Sequence, residues 1–355
     1  MRVHWSYQAS VRRVIESLAP ILQITLSATV SYLFARFVLG HQYPFFAVTV
    51  VITALGFSRD ARPRRIIETG LGMVLGIAAS EVLQLGLGDG LWQLPIILFI
   101  CLLVARFVTG SNAFTLAAGI QAMLVFINPI PPGGPFVRTI DALVGGVVAL
   151  LATALIPRDP RGLAAKDASK LFDVFLETLA ALRLALTKVD HKIADEALKQ
   201  VRRTQPLVDN WRLSLDSAVA IARVSPFMRK YRDELTGHLR LLRAMDLATR
   251  NLRVVVRRVD FLIRDGQKRD YLAKLIQEIH DASIVLAEGY EDPQQLAKAQ
   301  MALLEVMHQL DPKRFGIADN LAEASALLLL RPLLVDLLCA SGMSEDDARA
   351  ELPTI

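Results

Sequence analysis

The sequence predicts an all-α protein: a six-span membrane domain followed by a cytoplasmic helical bundle. Three observations predict it. Charge is unevenly spread, because residues 1–157 hold ten arginines, no lysine and six acids, while residues 158–355 hold 30 bases and 29 acids. That split separates an apolar domain over 1–157 from one of ordinary soluble composition over 158–355. Next, six apolar runs fill the first part, at about 17–39, 41–57, 66–87, 91–108, 112–128 and 136–157. Finally, the chain echoes itself. Arg65, Glu68, Gly72 and Gly76 return at the same spacing as Arg138, Asp141, Gly145 and Ala149, and AlaArgPheValLeuGly at 35–40 returns as AlaArgPheValThrGly at 105–110.

Taken in order, the first run follows Arg2, Arg12 and Arg13. The arginine pair resembles a twin-arginine export signal, but the run is too long for a signal peptide, so a retained first helix is expected. Polar or Gly/Pro-rich joints separate the runs. Arg59, Arg62, Arg64 and Arg65 follow the second run, Arg106 ends the fourth, and Arg158, Arg161 and Lys166 follow the sixth. Bases gathered on alternate joints place both termini in the cytoplasm and the protein in the inner membrane. Two echoes in the same order read as a duplicated three-helix unit, about 17–87 and 91–157. Three is an odd number of crossings, so the second copy enters the membrane upside down, the construction typical of secondary transporters. The second and fifth runs are the shortest. Seventeen residues rise about 25 Å, just short of the hydrocarbon core, and short spans at matching places point to a binding site.

From 158 onward apolar residues recur at helical spacing, with helices expected at about 165–188, 192–223, 226–265, 269–289, 294–310 and 317–341. The run Leu327 to Leu330 is cut short by Arg331 and Pro332 and belongs to a buried bundle helix rather than a seventh span.

Several function classes are excluded by what the chain lacks. It has no GlyxxxxGlyLys phosphate loop, no paired-histidine metal motif and no GlyxSerxGly elbow, so no cofactor, metal or enzymatic activity is expected. Cys101 and Cys339 have no framework spacing and read as buried thiols. Net charge is only +5, and the bases lack interleaved aromatics, so nucleic acid is not an expected partner. Arg250, Arg253, Arg257 and Arg264 line one helix face, which reads as a solvated, salt-bridged surface or as a basic vestibule for anions.

Charges within or beside the spans are the candidates for function. Arg36, Arg106 and Arg138 would attract an anion at the mouths of a pathway; Arg65 and Arg106 also fit plain positive-inside anchors. Glu68 and Asp141 sit in the first turn of their helices, where the dipole and an arginine three residues back favour an acid, and where a coupling proton could equally be held. Glu81 lies further along the helix that carries Glu68. Gln121, near mid-span, is the best candidate substrate contact, ahead of Thr49, Thr53 and Thr115, which suit hydrogen bonds between helices. Gly72, Gly76, Gly145 and Gly146 suit close helix packing.

The same residues resemble the fusaric acid resistance and aromatic acid exporter family. TyrProPhePheAla at 43–47 is similar to its Pro-aromatic-Ala opening of the second helix, Arg65 with ThrGlyLeuGly at 69–72 to its Arg-rich turn and Gly packing, and ArgThrIleAspAlaLeuValGlyGly at 138–146 to its last membrane helix. The tail at 331–343 resembles actinobacterial members. The resemblance implies efflux of aromatic carboxylates driven by the proton motive force, and it extends to plant malate channels. One six-helix module stands where larger relatives carry two, which implies a homodimer, and Glu68 departs from the family pattern. The expected function is an exporter of small organic anions across the lipid bilayer. A passive anion channel and a membrane-anchored scaffold with a partner-binding bundle are the alternatives.

Overall fold

The computed structural model describes residues 7–57, 62–87, 90–128, 131–134, 136–156 and 159–354, and the described residues hold helices and no strand. Arg2, Arg59 and Arg158 lie outside the described residues, as do the side chains of Arg12 and Arg13. The chain divides into two compact units, one of Met1–Asp159 with Ser217–Tyr231, the other of Pro160–Asp216 with Arg232–Ile355.

The first unit opens with α1 (Tyr7–Phe37), α2 (Phe45–Leu55), α3 (Pro63–Leu87), α4 (Gln93–Val108), α5 (Asn112–Ile127) and α6 (Val137–Leu155). Among the described residues, three stretches are long and apolar enough to cross a membrane, namely Ser17–Phe37, Pro63–Leu87 and Val137–Leu155; α2, α4 and α5 are apolar but shorter. Large apolar side chains stand on the outer surface, Leu91 and Phe107 at 89% exposure among them, which water would penalise and hydrocarbon would not. Local chemistry sets the ends. Pro63 opens α3, where its missing N–H costs nothing, and Ser111 caps α5 by accepting from the Phe114 N–H. At 11 residues, about 16 Å, α2 is shorter than the run that predicts it. Gly40 at φ 74° and Pro44 keep the preceding stretch out of the helix.

Hydrogen bonds fix helix directions. The loop before α2 meets the start of α6, the end of α3 reaches the start of α6, and the starts of α3 and α5 meet each other. Hence α1, α3 and α5 run one way and α2, α4 and α6 the other. Packing partners follow the same rhythm: α1 lies on α2 as α4 lies on α5, α3 on α5 as α6 on α2, and α3 on α4 as α6 on α1. Glycines allow the closest approaches. A Cβ at Gly72 would stand 2.5 Å from the Phe114 carbonyl oxygen, one at Gly145 2.5 Å from that of Ala47, and one at Gly76 would strike that of Ala118. Gly146 faces open space. Phe46, Val50, Val51, Met73, Ile77, Ala142 and Ala149 fill the core among α2, α3 and α6.

The second unit is helical too. It contains α7 (Pro160–Lys188), α8 (His191–Arg202), most of α9 (Gln205–Val224), α10 (Arg232–Leu262), α11 (Asp270–Glu288), α12 (Pro293–Met307), α13 (Leu321–Leu328), α14 (Leu330–Ala340) and α15 (Glu345–Ala350). The sequence reads 192–223 as one helix; the structure breaks it between Arg202 and Gln205, because Pro206 has no N–H to give the Arg202 carbonyl and its ring would crowd that carbonyl in a continuous helix. The stretch expected as one helix over 317–341 breaks at Leu329, with Pro332 in the first turn of α14. Fully buried Trp211 packs between Phe172 and Tyr290, ring centroids 6.2 and 6.0 Å away. Along α10 and the 3-10 turn after it the arginine face is salt-bridged: Arg250 pairs with Asp246 and Arg264 with Asp260, while Arg253 donates to the Val201 carbonyl.

One half-buried acid gives this unit a pH dependence. Asp336 on α14 accepts from Asn251 Nδ2 at 2.6 Å, and burial pushes its carboxyl up to about 6. The folded state therefore holds the proton more firmly than the unfolded chain. Stability is greatest below the ordinary carboxylate range and falls as pH rises toward about 6. Asp336→Asn is expected to stabilise the protein by about 2 kcal/mol at neutral pH, after allowance for screening, and to add almost nothing near pH ~4. Thermal unfolding across that pH range measures it; an equal gain at both ends would contradict it.

Candidate functional site

Two polar clusters occupy opposite ends of the helices of the first unit, built from residues at corresponding places in the two echoes. At one end Asp141, in the second turn of α6 rather than the expected first, accepts a hydrogen bond from His41 Nδ1 at 2.6 Å. Arg138, a turn earlier, donates to the carbonyls of Val125 at 3.2 Å and Asn128 at 2.9 Å, and to Gln84 at 3.4 Å; its guanidinium lies 6.0 Å from the Phe46 ring centre. Glu81, buried near the end of α3, accepts from the Thr139 hydroxyl at 2.6 Å. Arg138 is 3% exposed and Asp141 2%. A charge so buried is tolerated because helix-end carbonyls and the acids around it replace water. A cavity of about 370 Å³ opens here, lined by His41, Tyr43, Phe45, Phe46, Asn128, Arg138 and Asp141 among others.

At the other end Glu68, which holds the place of Asp141 in the earlier echo, accepts from the Ser111 hydroxyl at 3.0 Å and from Arg64 Nε at 2.9 Å. Ser111 follows AlaArgPheValThrGly as His41 follows AlaArgPheValLeuGly, so the two hold the same place in the two echoes. The acid on the third helix of each triplet is thus held by the residue just before the second helix of the other triplet. This mouth is more open, with the Arg64 side chain 89% and that of Glu68 30% exposed. Its cavity, about 380 Å³, is lined by Arg62, Arg64, Arg65, Glu68 and Ala113.

Arg36 and Arg106 hold corresponding loops. Arg36 donates to the Gln42 carbonyl, while Arg106 donates to the Gly110 carbonyl at 2.9 Å and to Asn112 Oδ1 at 3.0 Å. Neither lines the two cavities. Gln121 lies between the clusters, 2% exposed, its amide nitrogen 3.4 Å from the Met73 sulfur and its Oε1 without a partner among the described residues. Thr49 and Thr115 bond back to carbonyls of the preceding turn, Phe46 and Ser111 respectively. His41, Ser111 and Gln84 are the contributors that sequence reasoning misses. Extending the echo at 35–40 and 105–110 by a single position reaches His41 and Ser111 together.

Residues 29–152, which carry both clusters, match the fusaric acid resistance protein-like family. An uncharacterised protein of Corynebacterium glutamicum is 30% identical over 349 residues, covering 96% of this chain and 89% of its own length. The chain belongs to the fusaric acid resistance protein-like family. It is accordingly a membrane protein of a transporter family. Proteins of Mycobacterium tuberculosis and Mycobacterium bovis that bear the name "Putative arylamide transporter" are 27% identical over 194 residues, which is 53% of this chain and 53% of theirs.

Proposed function

We propose that this protein is an inner-membrane exporter of aromatic or other small organic carboxylates, driven by the proton motive force and working by alternating access. Residues 1–157 form six spans in two inverted three-helix repeats, both termini are cytoplasmic, residues 158–355 form a cytoplasmic helical domain, and the working unit is a homodimer. The observation that carries this reading is the reciprocal pairing of Asp141 with His41 and of Glu68 with Ser111. Two equivalent gates at opposite ends, one buried and one open, are what alternation between inward- and outward-open states requires. Helix direction supports it, since the triplets α1–α3 and α4–α6 point in opposite senses. The shortness of α2 also fits, because the non-helical stretch before it lines a cavity that holds Arg138 and Asp141, where broken backbone is tolerated at membrane depth.

Substrate class follows from the lining. Arg138 with Phe45, Phe46 and Tyr43 offers a cation beside aromatic faces, suited to an aromatic carboxylate. Arg62, Arg64 and Arg65 at the other mouth concentrate anions from the cytoplasm. Arg36 and Arg106 shape the loops at the two mouths, and Gln121 offers a free acceptor between them. Flux of a benzoate-class acid in proteoliposomes, with and without a pH gradient, tests the proposal. The gradient is expected to drive accumulation against the concentration difference. Flux indifferent to it would indicate a passive channel, and absent flux a scaffold.

A further inference from the structure

The two gates are alike in position and unlike in chemistry. Ser111 offers Glu68 a hydroxyl that does not titrate, and Arg64 adds a fixed charge, so the bonds to that acid come from groups whose charge is constant near neutral pH. Asp141 instead faces an imidazole, the side chain whose charge changes at physiological pH. His41 and Asp141 both line the cavity, so a proton from the solution on that side can reach them.

We propose that His41 and Asp141 form the proton-binding site of this transporter and lock its mouth while they share one proton. A second proton, taken from the outer solution onto the Asp141 carboxylate, opens that mouth. The inference rests on the exporter reading and supplies its coupling site. With one proton, imidazolium and carboxylate make a charge-assisted bond between the loop before α2 and the start of α6. The second proton neutralises Asp141 and removes that attraction. His41 is then a cation lining the same cavity as Arg138, which shares a helix with Asp141, and Arg36 holds the carbonyl of the adjoining Gln42. Glu81 on α3 is the carboxylate left to oppose them; Asn128 and Tyr43, the other polar neighbours, are uncharged. Repulsion separates the loop from α6. On return to the inward-open state the proton leaves toward the cytoplasm, and the bond reforms.

The test uses the full chain in nanodiscs, with Cys101 and Cys339 replaced by alanine. A cysteine at Val137, 8% exposed in the closed mouth, reports opening through its labelling rate relative to a cysteine at Leu321 of the second unit, 83% exposed. Lowering the pH from about 7.5 to about 5 is expected to raise that ratio about tenfold, as a minor open state becomes populated. His41→Gln is expected to flatten the response, and Asp141→Asn to hold the ratio high at both pH values. Ser111→His copies the pair onto Glu68 and is expected to create a new pH step for a cysteine at Ala113. A wild-type ratio that ignores pH, or a step that survives in His41→Gln, overturns the proposal. The readout needs no substrate: a labelling step without flux of any aromatic acid sinks the exporter reading alone, and coupled flux without a step sinks the proton site alone.

Discussion

Replacing Gly76 with alanine is expected to destabilise the membrane unit by about 1–3 kcal/mol, and replacing it with valine to prevent its assembly. The cause is backbone against backbone. An added Cβ at Gly76 meets the carbonyl of Ala118 on α5, which cannot rotate aside as a side-chain tip could, so α3 and α5 must part. Separation would also pull apart the Ser80 hydroxyl and the Ala122 carbonyl, 3.1 Å away, and loosen the contact between Glu68 and Ser111 at the mouth. Gly146→Ala is the matched control: its Cβ enters open space and gains helix propensity, so no loss is expected. Thermal unfolding of the detergent-solubilised protein separates the two outcomes, and equal behaviour of Gly76→Ala and Gly146→Ala would refute the packing account.

That contrast also marks how far the sequence could be read. Spacing alone put Gly72, Gly76 and Gly145 on faces suited to close approach, because a four-residue interval fixes the face of a helix. Spacing does not say which neighbour arrives there, so Gly146, adjacent to Gly145, was indistinguishable from it. The charged clusters were half legible. Arg138, Asp141 and Glu68 stand out because charge in an apolar run is costly and needs a reason. Their partners do not stand out, since a histidine or serine in a loop is ordinary and the pairing spans 100 residues in one case and 43 in the other. Arg36 and Arg106 show the converse. As isolated charges they suggest a pathway; the loop oxygens just downstream, which bind them locally, become visible only with the chain folded. In the second unit the breaks at Pro206 and before Pro332 were present as prolines, yet unbroken apolar periodicity on both sides outweighed them.

Arg269→Ala is expected to cost the second unit about 3 kcal/mol or more, the loss typical of breaking a buried ion pair from one side. Arg269 is 3% exposed and is the hub between the end of α10 and the start of α13. Its Nε donates to Glu323 at 3.2 Å, one terminal nitrogen to Asp265 at 3.0 Å and to the carbonyls of Leu262 at 3.3 Å and Gln267 at 3.1 Å, and the other terminal nitrogen to Asp265 again. Alanine leaves Glu323 buried with only the Tyr271 hydroxyl, 2.8 Å away, to satisfy it, and leaves two carbonyls without their donor. The pH response gives the result a second signature. Arg269 holds the Asp265 carboxyl down at about 2, so the native protein keeps this contribution until pH falls through that value. In Arg269→Ala the Asp265 carboxyl returns toward the ordinary carboxylate range, so the variant should not show the loss of stability that the parent suffers as pH falls from about 4 toward about 2. Arg269→Met, similar in volume, should behave like alanine, because donors rather than packing are what the site loses. A methionine variant as stable as the parent at neutral pH would show instead that the guanidinium serves as filler.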